Sequence, residues 1–161
     1  MELDIFVEPY CLRCRKCCIE TEMILLPSDI ERIRSLGYEV ERFAELRNGF
    51  YRLKNVDGRC VFLTDRGCRI YRYRPLGCRI YPLIFDEDLG PILDPECPLA
   101  NVFSKRCLEL EVGIRMLRRF LEELERFYGY RIDWDHFEEG ARRLLRQCTA
   151  WGVATQRFSF T

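Results

Sequence analysis

A dense group of cysteines stands near the amino terminus, where four of the ten in the chain fall within CLRCRKCC, residues 11–18. Cys11, Cys14 and Cys17 have the spacing C-x2-C-x2-C, which allows consecutive thiolates to converge on one centre. Bacterial ferredoxins use this run for three ligands of a 4Fe–4S cluster. A further cysteine follows after three intervening residues, directly before a proline. Thr21 occupies that later position here, so a fourth ligand must come from elsewhere.

The later cysteines of the front half form no second C-x2-C pair. Structural zinc sites typically combine two such pairs, or one pair with histidines. The only histidine is His136, in the last predicted helix. The spacing therefore favours an iron–sulfur cluster, most simply 4Fe–4S, and leaves zinc open. The candidate metal ligands, placed in loops or at strand ends, are Cys11, Cys14, Cys17, Cys18, Cys60, Cys68, Cys78 and Cys97.

Cys17 and Cys18 are adjacent, and adjacent side chains diverge on a helix or a strand. We therefore expect that the two thiols do not bind one ion. One thiol would complete the first site, while the other would face a second centre, a substrate or a redox partner. The alternative for Cys18 is plain packing, because free cysteine is often buried.

Arginines surround the later cysteines, with six of them against one acid, Asp65, between Arg59 and Tyr81. Guanidinium groups offset the negative charge of a thiolate centre and lower thiol pKa values. We expect Arg74 and Arg79 to be such charge partners of a bound cofactor, with Pro75 and Pro82 fixing the loops that present Cys78. Two alternatives remain: an anionic ligand or RNA stacked on tyrosines, or a solvated face paired with the acidic stretch 86–96.

The whole chain of 161 residues has the length of a single domain, 1–161. Basic and acidic residues balance at 26 each, so no net field attracts nucleic acid or a membrane surface. The first residues show no secretory signal pattern, and no apolar run is long enough to span a bilayer. We therefore expect a cytoplasmic protein whose clustered cysteines bind metal. Disulfides, as in some hyperthermophiles, are the weaker alternative.

The front half of the sequence predicts short helices and short strands. LPSDIERIRSLGYE predicts a helix with Ser28 as N-cap and Glu31 completing a capping box, and VERFAELRNG predicts a second helix that stops near Gly49. FYRLKN, CVFLT and CRIYRY have the aromatic and branched residues of short strands. Turn signals in NVDG and TDRG separate them, which indicates a small antiparallel meander. The acidic stretch FDEDLGPILDPECP then leads into the back half.

The back half reads as a helical hairpin. A long helix is predicted from about Pro98 to Tyr128, and DWDHFEEGARRLLRQC predicts a second one whose apolar stripe ends at Trp151. Cys107 and Cys148 fall on the two apolar stripes, so we expect small, free core residues there. The fold class is α+β, with a cysteine-rich metal-binding part, 8–98, packed on a helical hairpin, 99–152.

Four ordered blocks of this sequence resemble the CxxCxxCC family of zinc- or iron-chelating proteins. The blocks are CLRCRKCC, then CVFL, CRIY and RPLGCRIYP, and the match covers about residues 8 to 98. The resemblance implies a metal held by cysteines. The family includes flagellin lysine-N-methylases, in which the motif is linked to an iron–sulfur cluster. We assign no methyl-donor pocket to this shorter chain, so methylation is not carried over.

The sequence as a whole predicts a metal-binding protein with an iron–sulfur or zinc centre that serves a redox role or supports a modification reaction. The alternative is a non-enzymatic, zinc-stapled module that binds a protein or an anionic partner through the Arg-rich surface or the hairpin. The chain has no Gly-rich phosphate loop and no G-x-S-x-G elbow, so no catalytic residue is assigned.

Overall fold

The computed structural model describes residues 4–157, with side chains described up to residue 149. The fold class is α+β, as predicted. The helices in this part of the chain are α1 (Cys11–Cys14), α2 (Pro27–Arg34), α3 (Val40–Phe43), α4 (Leu76–Ile80), α5 (Ala100–Phe103), α6 (Cys107–Tyr128) and α7 (Trp134–Arg157). Short 3-10 turns span Lys16–Cys18 and Tyr71–Tyr73. No helix within residues 4–157 is long and apolar enough to cross a membrane.

The strands pair as separate antiparallel hairpins, not as the predicted continuous meander. The pairs are β1 (Ala44–Arg47) with β2 (Phe50–Leu53), β3 (Asn55–Val56) with β4 (Arg59–Cys60), β5 (Leu63–Thr64) with β6 (Gly67–Cys68), and β7 (Leu83–Asp86) with β8 (Gly90–Leu93). Four of the eight strands, β3 to β6, have only two residues, so the chain changes direction after each of these short hairpins. The acidic stretch FDEDLGPILDPECP supplies the turn and the second strand of the β7–β8 hairpin.

The predicted second helix ends early, because an Asn-Gly turn follows it closely. Only Val40–Phe43 is helical, and the chain then enters β1. Asn48 and Gly49 both have positive φ, 53° and 81°, the conformation that a tight hairpin turn demands. The prediction of a helix to Gly49 was therefore wrong, since turn chemistry at its end outweighed the helical pattern.

Helix α2 begins at a different cap from the predicted one. The backbone N–H of Leu26 donates to the Asp29 carboxylate, 3.0 Å away, while Ser28 is exposed. An acidic residue at the third helical position reaches back to the N-cap backbone in this way, and Pro27 occupies the first turn without losing a hydrogen bond. The predicted Ser28–Glu31 capping box is thus replaced by one centred on Asp29.

The predicted long helix from Pro98 is two helices, α5 and α6, with Ser104 to Arg106 between them. Helix α6 ends at Gly129, whose φ of 67° forms the left-handed C-cap. Its buried face consists of the stripe that the periodicity predicts, Leu110, Ile114, Leu117, Leu121 and Leu124. Trp151 lies outside the described side chains.

Helix α7 packs closely on the β7–β8 hairpin. A Cβ atom added at Gly140 would lie 2.6 Å from the Leu89 carbonyl oxygen and 2.8 Å from Pro91 Cδ. Because such distances are shorter than any ordinary contact, the absence of a side chain at Gly140 permits the approach. This packing holds the hairpin that leads to Cys97.

Cys107 and Cys148 form a disulfide between α6 and α7, with their Cα atoms 5.7 Å apart. The prediction that both are free thiols in the core was wrong. Periodicity correctly placed each on the inward stripe of its helix. It carried no information about which positions of the two stripes face each other.

Buried apolar residues form two separate clusters. The larger one joins α4, β7, α6 and α7, and the smaller one joins α2, α3, β2 and the short hairpins that carry Cys60 and Cys68. The cysteine-rich loop 11–20 contacts the larger cluster through Cys11 and the smaller one through Cys18.

Candidate metal centre

The first cysteines are presented by a tight double turn. Cys11–Cys14 forms the short helix α1, Arg15 adopts a left-handed conformation with φ of 54°, and Lys16–Cys18 forms a 3-10 turn. The Arg15 guanidinium holds this bend, since it donates to the Leu12 carbonyl at 3.0 Å and the Thr64 carbonyl at 3.2 Å. The left-handed residue reverses the chain between the second and third cysteines.

The end of the cysteine-rich loop is joined to the β3–β4 hairpin by hydrogen bonds. Thr21 N–H donates to the Asn55 side-chain oxygen at 3.1 Å, and the Asn55 amide donates to the Thr21 carbonyl at 2.9 Å. Ile19 and Arg59 form an antiparallel bridge. The position that holds a cysteine in the ferredoxin run therefore serves here, as Thr21, to join two segments of the backbone.

The remaining cysteines come from four elements. Cys60 ends β4, Cys68 ends β6, and Cys78 lies in α4 after the buried Pro75. The peptide bond between Tyr81 and Pro82 that follows α4 is cis. Cys97 lies in a turn after β8, where its N–H donates to the Asp94 carbonyl at 3.0 Å.

All eight predicted cysteine ligands line one cavity of about 1170 Å³, together with Arg74 and Arg79. The other two cysteines, Cys107 and Cys148, form the disulfide and are not among its lining residues. The tertiary structure thus sorts the ten cysteines into the same two groups as the periodicity of the sequence. The residues beyond the thiols are largely apolar, and they include Met23, Phe50 and Phe120.

The eight thiols lie around this cavity and do not converge on a single metal position. Among the side chains of residues 4–149, no three His, Cys, Asp or Glu residues are placed to hold a single metal ion. A tetrahedral zinc ion needs each sulfur at about 2.3 Å. A cluster of several irons and bridging sulfides binds its cysteines at separate corners, so it accepts thiols that stand farther apart.

Burial raises the pKa of most of these thiols. It is the largest influence on Cys11, Cys60, Cys68, Cys78 and Cys97, and the neighbouring thiolates add to it. For Cys78 the contributing thiolates are those of Cys60, Cys17 and Cys68. Thiols that resist ionisation individually become a strong ligand set once a cation supplies the missing positive charge.

Cys17 and Cys18 behave as a pair. A hydrogen bond from the Cys18 thiol, assisted by the charge of Arg74, lowers the pKa of Cys17 to about 7, against the opposing effect of burial. Donating that bond raises the pKa of Cys18. Both residues lie in the 3-10 turn Lys16–Cys18.

Arg74 is the charged group most firmly built into this region. Its guanidinium lies 3.9 Å from the centroid of the Tyr71 ring, donates to the Tyr71 carbonyl at 2.7 Å and pairs with Asp4 at 3.4 Å. Its charge opposes the effect of burial on the pKa of Cys68 and favours the thiolate of Cys17. Arg79 lies 3.5 Å from the same Asp4 carboxylate.

The acidic stretch 86–96 is occupied by local contacts. Asp86 accepts from the N–H groups of Asp88 and Leu89, and Asp94 accepts from the Tyr81 hydroxyl at 2.9 Å. The exposed cations near the thiol loops form no ion pair with any described side chain; these are Arg13, Lys16, Arg59, Arg66, Arg69 and Arg72. Among the described residues, this basic face is exposed to solvent, as one alternative expected, and it forms no ion pair with the acidic stretch.

Two acids that shape the region were missed at the level of sequence. Asp4 joins Arg74 and Arg79, and no local pattern links it to residues so distant in the chain. Asp29 accepts a hydrogen bond from the Leu76 N–H, 3.0 Å away, at the start of the helix that carries Cys78. The Pro27 and Asp29 spacing predicts a capping carboxylate, but not this second contact.

Comparison with known proteins agrees with the cysteine pattern. The family model of CxxCxxCC, "Putative zinc- or iron-chelating domain", matches residues 10–108, which include all eight cavity cysteines. An uncharacterized protein of Methanocaldococcus jannaschii is 25% identical over 154 residues, which cover 86% of this chain and 81% of that protein. No solved structure matches this chain.

Proposed function

The chain belongs to the CxxCxxCC family, and from this membership we propose that it is an iron–sulfur protein whose eight cavity cysteines are the ligands. The observation that carries the proposal is that all eight thiols line one cavity, although they come from segments as distant as Cys11 and Cys97. Packing alone gives no reason for eight cysteines to share one cavity. Metal binding does, since thiolates are the ligands of iron–sulfur clusters and of zinc.

Iron–sulfur is preferred over zinc on the placement of the thiols. The described side chains form no single-ion site, whereas separated thiols around open space suit a cluster with several corners. When bound, such a cluster supplies one-electron transfer. The residues of the chain would hold it, and Arg74 would offset part of its negative charge.

The cavity extends beyond the thiols, and this extension supports a redox or catalytic role over a purely structural one. Closed metal sites that only stabilise a fold need no adjoining space. Here the lining also includes Met23, Ile24, Phe50 and Tyr130. A reactant could reach the centre through that part, so we propose that the protein transfers electrons or supports a modification reaction in the cytoplasm.

The second candidate is a zinc-stapled module that binds an acidic partner. The observation that favours it is the exposed basic face near the thiol loops, whose six cations form no ion pair with described residues. Unpaired surface cations steer acidic partners by electrostatic attraction. Such a module would need its metal only to hold the loops in place.

Metal content decides between these candidates. We would purify the protein anaerobically and measure iron, zinc, acid-labile sulfide and the visible absorption spectrum. Brown protein with iron and sulfide in near-equal amounts supports the first proposal, and colourless protein with firmly held zinc supports the second. Protein without either metal contradicts both. The double variant C107S/C148S is the control, because it removes two cysteines outside the cavity and is expected to keep the metal.

A further inference from the structure

Six of the eight cavity cysteines divide into two sets according to the apolar cluster that they contact. Cys18, Cys60, Cys68 and Cys78 pack on or belong to the smaller apolar cluster, which joins α2, α3 and the short hairpins. Cys11 and Cys97 pack on the larger cluster, around α6 and α7. This division follows the tertiary structure and not the order of the residues in the chain.

Strand register explains the membership of the first of these sets. Ile19 and Arg59 form an antiparallel bridge, so the residue before Ile19 lies across from the residue after Arg59. Those residues are Cys18 and Cys60. In the next hairpin, Cys68 pairs with Leu63, and its strand returns toward the same apolar cluster. The backbone therefore brings Cys18 beside a cysteine that is distant in sequence.

Cys78 joins this set from α4. The Leu76 N–H donates to Asp29, the capping residue of α2, so α4 is attached at its first turn to the helix beneath the smaller cluster. Cys78 packs on the smaller cluster together with Cys18 and Cys68.

The other set consists of the C-x2-C-x2-C run and Cys97. Cys11 and Cys97 pack on the same apolar cluster, although they are distant in the chain. Cys97 is therefore the thiol from outside the run that is placed to supply the fourth ligand, which the position of Thr21 lacks.

We propose that the chain holds two adjoining metal centres, one bound by Cys11, Cys14, Cys17 and Cys97 and the other by Cys18, Cys60, Cys68 and Cys78. This inference rests on the proposed function, because it assigns ligands within the same cavity. It also explains the adjacent pair. Cys17 and Cys18 belong to different centres, and the 3-10 turn sets them side by side at the junction between the two.

The charges at the junction fit this arrangement. Two four-thiolate centres side by side repel each other, so a fixed cation near the boundary stabilises both. Arg74 is such a cation, since it lines the cavity that holds both sets and is fixed in place by Tyr71 and Asp4. Centres in contact through neighbouring residues would exchange electrons readily, as in proteins that carry two clusters.

Metal stoichiometry of matched variants tests the proposal. C97S removes one ligand from the first set, C68S removes one from the second, and the double variant C68S/C97S removes both. We expect each single variant to keep about half of the wild-type metal and sulfide, and the double variant to keep none. After reduction with dithionite, the electron paramagnetic resonance spectra of the two single variants should differ from each other. The wild-type spectrum should be broadened by interaction between the centres.

Native mass spectrometry of the wild type counts the centres without any variant and so remains decisive if a variant fails to fold. A mass for one centre, or equal and complete loss of metal in both single variants, would overturn the inference. Full retention in either variant would also overturn it. Wild-type protein without any metal is a different result, because it rejects the proposed function itself. The disulfide variant C107S/C148S is the control and should hold both centres.

Discussion

The Asp29 carboxylate accepts a hydrogen bond from the Leu76 backbone N–H, 3.0 Å away, and so attaches the start of α4 to α2. The same carboxylate accepts from the Leu26 N–H at 3.0 Å and pairs with Arg32 at 2.6 Å. Asp29 is fully buried, so each of these contacts replaces hydration that the carboxylate has lost. One side chain thus positions the helix that presents Cys78.

We expect D29A to lower the free energy of unfolding by about 3 kcal/mol, since it leaves two buried backbone N–H groups and the partly exposed Arg32 guanidinium without their acceptor. Urea unfolding followed by circular dichroism measures the change. S28A is the matched control on the same turn, and it should have little effect because Ser28 is exposed and does not cap the helix. A large effect of S28A with a small effect of D29A would contradict the assignment of the cap.

The stability that Asp29 contributes to the fold is expected to fall as the pH rises. Burial raises the pKa of Asp29 above its usual 3.8, so the folded state binds a proton more readily than the unfolded state. The free energy of unfolding that Asp29 contributes therefore falls as the pH rises from about 3.8 through the raised pKa. We expect the stability difference between wild type and D29N to move in favour of D29N over that interval. A difference that is constant with pH would show that the carboxyl is not perturbed.

The disulfide between Cys107 and Cys148 closes a segment with a sequence separation of 41 residues. By the loop-entropy relation, C107S/C148S should lower the free energy of unfolding by roughly 4 kcal/mol under non-reducing conditions. Treating the wild type with dithiothreitol should produce a similar loss, while the variant should not respond. Equal stability of oxidised and reduced wild type would contradict the prediction.

The close contact at Gly140 predicts that adding a side chain at this position destabilises the fold. G140A must push the β7–β8 turn away from α7, because the added methyl would lie 2.6 Å from a backbone oxygen. We expect a loss of about 2 kcal/mol in the free energy of unfolding, within the usual range for overpacking. The neighbouring exposed position supplies the control, E139A, which should be neutral or slightly stabilising. Thermal unfolding of both variants side by side measures the difference.

Replacing Arg74 is expected to change the pKa of the Cys17 thiol. In metal-free protein, R74Q should move the pKa of Cys17 upward from about 7, because the variant removes one of the influences that favour the thiolate. The pH dependence of alkylation by iodoacetamide, resolved by mass spectrometry of the Cys17 peptide, reports this shift. R74K retains the charge and should show a smaller change. An unchanged alkylation profile in R74Q would contradict the role assigned to the guanidinium.

Much of the candidate site could be predicted from residue types and spacing. The eight cysteines that line the cavity are those that lie off the apolar stripes, and Arg74 stands among them as expected. The stripes of α6 and α7 and the fold class also follow from local pattern, because a helix face repeats every few residues along the chain. Turn residues such as Asn48-Gly49 predict a hairpin, although the preceding residues were assigned to a helix.

Residue type and short-range spacing establish which thiols are available and which helix faces are apolar. The contacts between residues that are distant in the chain come from the tertiary packing. The approach of Cys60 to Cys18, the attachment of Leu76 to Asp29 and the pairing of Cys107 with Cys148 are examples. These contacts depend on how two apolar clusters pack and how short hairpins orient the chain between them. Local periodicity specifies a face of an element, but not the partner that the face will contact.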